Sequence, residues 1–399
     1  MISQISQRVL TRLENGSPIL SVFEEAKRLR ALWGNDRVFD LSIGNPCAPA
    51  PNEVREAALK LWNDPNLNHH YTGNPGLIET RKIISDSLNQ RFNANCSAED
   101  IIMTAGASEG LSSVLCTLLD SGDEAIVFLP YYPAYVNYIE NWEAKAVFVK
   151  PEDSNFQPDL NELEQSITER TKLIIVNSPH NPTGAVYSVE TAQGISEILT
   201  RKQNHYKHPI YLLSDEPYRE LVYDNSPVVW WPSVYANSIV VYSFSKSLSL
   251  PGERIGYTLV SPQVTEAEKL IRAFKIASGL LGYVNAPAFF QRLVSMCLNS
   301  KVDLEYYNKN RKILYRAVNE LGFEASEPQG AFYIFVKSPL SSESEFLERA
   351  RDRGLLFVGG SAFGMKGYAR LSFCGDYDML ECAIPALKLL AGDCGLIKH

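Results

Sequence analysis

One lysine set among hydroxyls is the most reactive feature of this chain. Ser243-Phe244-Ser245-Lys246-Ser247-Leu248-Ser249 follows the apolar run Ile239–Tyr242, and Arg254 stands eight residues beyond Lys246. A lysine in partly apolar surroundings loses its proton more readily than one in water and can attack a carbonyl carbon to form a Schiff base. Ser243 and Arg254 suit a phosphate, the arginine as a planar fork of donors. Ser243-x-x-Lys246 also matches the opening of the penicillin-binding pattern, but its S-D-N and K-T-G companions do not follow. The plain alternative, a solvated surface lysine, fits poorly with a serine-rich, glycine-bounded setting.

Three further segments follow apolar runs in the same way. Ser214-Asp215-Glu216-Pro217-Tyr218 ends the run Ile210–Leu213. An acid there is costly to desolvate and calls for a cationic partner, either a local ion pair or the ring nitrogen of a cofactor. Ser178-Pro179-His180-Asn181-Pro182-Thr183-Gly184 follows Leu173–Asn177. Its prolines and glycine fix the loop, which is ordinary turn chemistry but also holds the Asn181 amide in one orientation. Gly106-Ala107-Ser108-Glu109-Gly110 follows Ile101–Thr104 and reads two ways. As G-x-S-x-G it makes Ser108 an esterase nucleophile, which needs an acid and then a histidine downstream; beyond Asp215 only His399 remains. As a turn opening a helix, it offers backbone N–H groups and a hydroxyl to a phosphate.

The elements that must carry these residues alternate. Short Val- and Ile-rich runs occur at Ile101–Thr104, Ala125–Leu129, Ala144–Val149, Leu173–Asn177, Ile210–Ser214, Ile239–Ser243 and Gly256–Val260. With little polar alternation, they fit strands buried on both faces of a mainly parallel sheet. Helical patterns intervene at Glu109–Leu119, Ala134–Asn141, Leu160–Ile167 and Val189–Arg201, so the class is α/β, a layered fold whose ligands gather beyond the carboxyl ends of the strands. Before it come a helical lead-in at Phe23–Leu32 and a strand at Phe39–Ile43. After it come helical stretches from Thr265 and over Tyr306–Leu321, strands at Phe332–Val336 and Tyr368–Phe373, and helices at Glu343–Arg351 and Met379–Leu390. That mixed order predicts a smaller α+β domain. The expected division is 1–50, packing with the small domain, 51–290 as the large domain and 291–399 as the small one.

Taken together, the motifs resemble the fold-type I pyridoxal phosphate enzymes, specifically the class I/II aminotransferases related to aspartate aminotransferase. The resemblance spans Leu41 to about Leu390. It rests on Tyr71-Thr72-Gly73-Asn74-Pro75-Gly76, Asn181-Pro182-Thr183-Gly184, Ser214-Asp215-Glu216-Pro217-Tyr218, Ser243-x-Ser245-Lys246 with Arg254-Ile255-Gly256, and Ala369-Arg370-Leu371-Ser372, in the family's order. It implies a large domain with a mainly parallel seven-stranded sheet plus the smaller α+β domain. It implies that Lys246 joins pyridoxal 5'-phosphate as a Schiff base, that Asp215 pairs with the protonated pyridine nitrogen, and that Asn181 and Tyr218 hydrogen-bond the phenolic oxygen. Ala107, Ser108, Ser243 and Arg254 would meet the phosphate, with Tyr71 reaching it from a second subunit, so a homodimer is implied. Arg370 and the Gly44 backbone would hold the substrate α-carboxylate, and Tyr132, in Pro130-Tyr131-Tyr132-Pro133, would stack on the ring. Aspartate aminotransferases often carry tryptophan at that last position, and this chain departs with tyrosine.

The implied activity is ping-pong transfer of an amino group between an L-amino acid and a 2-keto acid. The same parts also suit elimination, replacement, cyclisation or oxidation of a specialised amino acid. The charge balance of −8 disfavours nucleic acid as a partner. Seven scattered cysteines without a C-x-x-C pair point to a reducing compartment, and no histidine–cysteine spacing suggests a metal. Without a signal-like start or a continuous apolar span, a cytoplasmic location with no membrane partner is expected.

Overall fold

The structure, a computed structural model, describes residues 5, 6, 9, 10, 12, 13, 16 and 18–397, with the backbone alone at 18–20. Its strands in chain order are β1 Phe39–Asp40, β2 Ile101–Thr104, β3 Glu124–Phe128, β4 Lys145–Val149, β5 Thr171–Asn177, β6 Tyr211–Asp215, β7 Ser238–Ser243, β8 Gly256–Val260, β9 Tyr333–Lys337, β10 Leu355–Leu356, β11 Val358–Gly359 and β12 Tyr368–Ser372. The chain divides into two compact units. One comprises Asn45–Asn308 and Glu327–Phe332; the other comprises Met1–Gly44, Lys309–Ser326 and Tyr333–His399.

The first of these holds a seven-stranded sheet in the order β2-β8-β7-β6-β5-β3-β4, in which only β8 runs against its neighbours. The mainly parallel α/β sheet expected from the apolar runs is present. Alternate side chains enter different cores: Leu173 and Ile175 of β5 join one cluster, Ile174 and Val176 another. Ile239 and Val241 of β7 face one side while Val240 faces the other. Burial on both faces is why these strands read as unbroken apolar runs, each such side chain contributing about 1.5–3 kcal/mol.

Register aligns the strand ends. Asn177 pairs with Asp215 across β5 and β6, and Asp215 with Val241 across β6 and β7. The reversal of β8 sets its first residue, Gly256, between Thr104 of β2 and Ser243 of β7. Arg254, just before β8, is thereby delivered to the same end of the sheet. Three helices of nine or more residues here have no counterpart among the expected patterns: Asn52–Trp62, Ile78–Phe92 and Ala288–Met296. The buried face of Ile78–Phe92 includes Thr80, Arg81 and Ser85, which hides its apolar period.

The other unit contains the antiparallel sheet β11-β12-β9 and the parallel pair β1-β10. Helices Pro18–Trp33, Glu343–Asp352 and Tyr377–Asp393 accompany them. The predicted strand Phe39–Ile43 is only two residues long, because just Phe39 and Asp40 pair, with Leu355 and Leu356. Beyond Asp40, Leu41 N donates to Leu356 O at 3.1 Å and Leu41 O accepts from Ser372 N at 2.7 Å. Among the described residues no helix is long and apolar enough to cross a membrane.

Candidate active site

Asp215 ends β6 and is 4% exposed. The Tyr135 hydroxyl donates to its Oδ2 at 2.5 Å, and Asn177 Nδ2 donates to its backbone oxygen at 2.8 Å. Its other carboxyl oxygen, Oδ1, is buried without a hydrogen-bond partner. Burial pushes the carboxyl from its ordinary 3.8 to about 7; the bond from Tyr135 opposes that rise and the neighbouring Glu216 adds to it. Asn177 serves twice, since its Oδ1 accepts from the Asn181 backbone N–H at 2.9 Å. The backbones at 215 and 181 are therefore tied together by one bridging side chain.

A second group gathers at the helix Ala107–Leu118. Gly106 precedes it with φ 79° and no side-chain cap, so the first backbone N–H groups have no intrahelical partner. A Cβ on Gly106 would lie 2.9 Å from Arg254 Nη2 and 3.2 Å from its Cζ, so only glycine lets that guanidinium come this close. Arg254 itself adopts φ 52°, which costs a non-glycine residue about 1 kcal/mol, and donates to the carbonyls of Pro251 and Ala105 at 3.0 and 3.4 Å. Ser108 bonds the hydroxyl of Tyr138, which burial pushes up and which also feels the charges of Asp215 and Arg254. Ser243 caps the short helix Phe244–Ser247, accepting from Ser245 N at 3.2 Å and donating to its Oγ at 2.8 Å.

Lys246 lies in that short helix, half-buried, with Nζ 5.4 Å from the centre of the Phe332 ring. Tyr218 meets the same ring edge-on at 5.3 Å. Tyr132 stands edge-on to Tyr135, 5.5 Å between centres. The structure thus links Asp215, Asn181 and Tyr132 through Asn177 and Tyr135, links Ser108 and Arg254 through Tyr138 and Gly106, and links Lys246 and Tyr218 through Phe332. Tyr71 is 94% exposed and joins none of these groups within the chain. His399, which a Ser108 nucleophile would need, lies outside the described residues.

Arg370 and Gly44 belong to the other unit. Arg370 sits in β12, 2% exposed, with Nη2 donating to Ser42 O at 2.6 Å. Its guanidinium lies 4.4 Å from the Tyr333 ring centre and 4.8 Å from that of Phe363, a setting in which aromatic faces hold a buried cation. A Cβ on Gly44 would collide with the Tyr333 hydroxyl, so both residues are fitted to the same tyrosine.

Sequence reasoning missed Tyr135, Tyr138, Asn177 and Phe332. A signal for two of them was present: Tyr132, Tyr135 and Tyr138 recur every three residues, which sets them along one side of the helix Ala134–Glu140 and its lead-in.

A parallel sheet with an acid, an amide, a lysine and a glycine-opened helix at its strand ends defines a cofactor-dependent group-transfer fold. The chain belongs to the aminotransferase class I and II family, whose model matches residues 36–387, and it is a transferase, as the motifs predict. It is 32% identical to an aspartate aminotransferase of Pyrococcus horikoshii, with 98% of each chain covered. Among solved structures it is similar to an amino transferase from Eubacterium rectale, at TM-score 0.95 and 37% identity over 98% of this chain and 99% of that one. It is also similar to the Thermus thermophilus aspartate aminotransferase with maleate, at TM-score 0.86 and 26% identity over 98% and 100%.

Proposed function

We propose that the protein moves an amino group between an L-amino acid and a 2-keto acid with pyridoxal 5'-phosphate as cofactor, in two half-reactions of a ping-pong cycle. The observation that carries this reading is the buried Asp215 Oδ1, an acceptor lacking a partner at the carboxyl end of a central strand. A protonated ring nitrogen is the donor it fits, and that contact would also favour its ionised form. The uncapped start of Ala107–Leu118 beside the Arg254 guanidinium fits a phosphate. When bound, the cofactor supplies an electron sink for the substrate Cα.

The residues then divide the work. Ala107 and Ser108 with Ser243, Arg254 and Tyr71 of a second subunit hold the phosphate, which makes the working form a homodimer. Tyr132 stacks on the ring, and Asn181 and Tyr218 bond its phenolic oxygen. Arg370, aided by the Gly44 backbone, binds the substrate carboxylate. Lys246 Nζ takes the proton from Cα and returns it one position along, as base and then as acid. The relatives are named aspartate aminotransferases, which makes aspartate the first donor to try. A cytoplasmic location suits the cysteines, none of which forms a disulfide among the described residues.

A panel of amino acids, each mixed with the enzyme and no keto acid, tests the reading. One keto acid released per active site, without ammonia, is expected; repeated ammonia release would instead assign a lyase. Lys246→Ala should lose the visible absorption of the reconstituted protein and about ten-thousandfold in turnover.

A further inference from the structure

A second cavity, of about 510 Å³, opens in the sheet-bearing unit on the side of the sheet opposite Asp215. Strand alternation sends Asp215 and Glu216 to opposite faces. On the Glu216 side, Arg219 is 4% exposed and donates Nε to Glu216 at 2.5 Å and Nη1 to the Tyr257 hydroxyl at 2.9 Å. Its guanidinium rests 4.5 Å from the Tyr242 ring centre. Beside it, Glu220 accepts from Arg91 at 2.8 Å. Two cations and two carboxylates therefore pair here, and Lys301 adds an exposed third cation at the rim.

Three buried atoms of residues lining the cavity remain without hydrogen-bond partners: Arg219 Nη2, a donor, Glu220 Oε1, an acceptor, and the Ser247 hydroxyl, which can be either. Buried polar atoms are seldom left so, since an unmade bond costs the full desolvation of the group. One open atom is a donor on a cation and another an acceptor on a carboxylate, so an occupant that meets both brings both signs of charge. Both side chains line the same cavity, and Glu220 acts on the Arg219 charge, so one small occupant bearing both charges suits the pair. Ile84, Leu88 and Leu298 make the rest of the wall apolar. The volume is ordinary for a small-molecule site.

We propose that this cavity is a second binding site, for the zwitterion of an α-amino acid with an apolar side chain. Its carboxylate meets Arg219 Nη2, its ammonium meets Glu220 Oε1, and its side chain lies against Ile84, Leu88 and Leu298. The site is independent of the catalytic reading, although Phe244 and Ser247, on either side of Lys246, also line it.

Calorimetric titration of the holoenzyme with L-leucine tests the site, using Glu220→Gln, which removes the carboxylate, and Asn299→Trp, which fills the cavity from its exposed rim. Leucine should bind the native protein and bind each variant about tenfold or more weakly, with turnover unchanged. 4-Methylpentanoate and isopentylamine, each lacking one charge, should show a similar loss. No binding at about 10 mM, equal affinity in the native protein and both variants, or full affinity for 4-methylpentanoate would each overturn the proposal. Aminotransfer assays on the same samples report the catalytic reading separately. Should both variants fail to fold, a native holoenzyme crystal soaked in leucine decides by density in this cavity or at Lys246 alone.

Discussion

Asp215 and Glu216 are neighbours on one strand end, both buried, and they have been made into opposite things. Glu216 is fully engaged: Ser214 Oγ donates to one oxygen at 2.7 Å, and Arg219 Nε to the other. Burial works against the Arg219 charge, but Glu216 together with Tyr257, Tyr242 and Glu220 outweighs it and keeps the guanidinium firmly protonated. Asp215 has one tyrosine donor, one open oxygen and no cation, and its carboxyl is pushed to about 7. One face of the sheet spends its acid on architecture; the other holds its acid ready for a ligand. A buried charge that is paired is structural, whereas one left half-satisfied marks the place where something is missing.

The largest test of that contrast is Asp215→Asn. It should lower turnover by about a thousandfold, since the proposed electrostatic partner of the ring is gone, while cofactor occupancy falls far less. Turnover that survives would put Asp215 in the architectural class with Glu216. Glu216→Ala should do the reverse. Leaving Arg219 buried and unpaired should cost about 3 kcal/mol in urea unfolding, with activity per folded molecule largely kept.

Acid dependence sharpens the contrast further. With the cofactor stripped, Asp215 keeps its proton in the folded state up to about pH 7 but loses it near 3.8 when unfolded. The folded state binds more protons in that window, so stability is greatest below it and falls as pH rises. Between pH 5 and pH 7 the loss should be about 2 kcal/mol, and Asp215→Asn should flatten it. The smallest effect is expected from Tyr135→Phe. Removing the bond that favours the ionised carboxyl should move the midpoint of that dependence up by about one pH unit. An unmoved midpoint would mean that Tyr135 only fills space.

Much of the sheet and of the site is readable in the order of residues. β2 through β8 announce themselves because both of their faces are buried, which leaves no polar alternation to confuse them. Lys246, Asp215, Asn181 and Arg254 stand out because each follows or adjoins such a strand in a segment rich in turn residues. Helix Ile78–Phe92 does not stand out, because its inward face carries threonine, arginine and serine. Asn177 reads as the last residue of a strand; only the register with β6 turns it into the bridge between Asp215 and Asn181. The open oxygen of Asp215 and the cavity beside Arg219 are invisible in sequence, because a missing partner is a fact about space.

What the chain's own order determines is therefore which chemistry is at hand: an amine, an acid, an amide, a glycine turn that opens a helix, and the strands that carry them. That much follows from local rules, since burial selects residue type and turns select glycine and proline. The tertiary structure alone decides which of two adjacent acids receives a cation and which is left open. Alternation along β6 separates their faces, and what each face then meets depends on strands and helices distant in sequence.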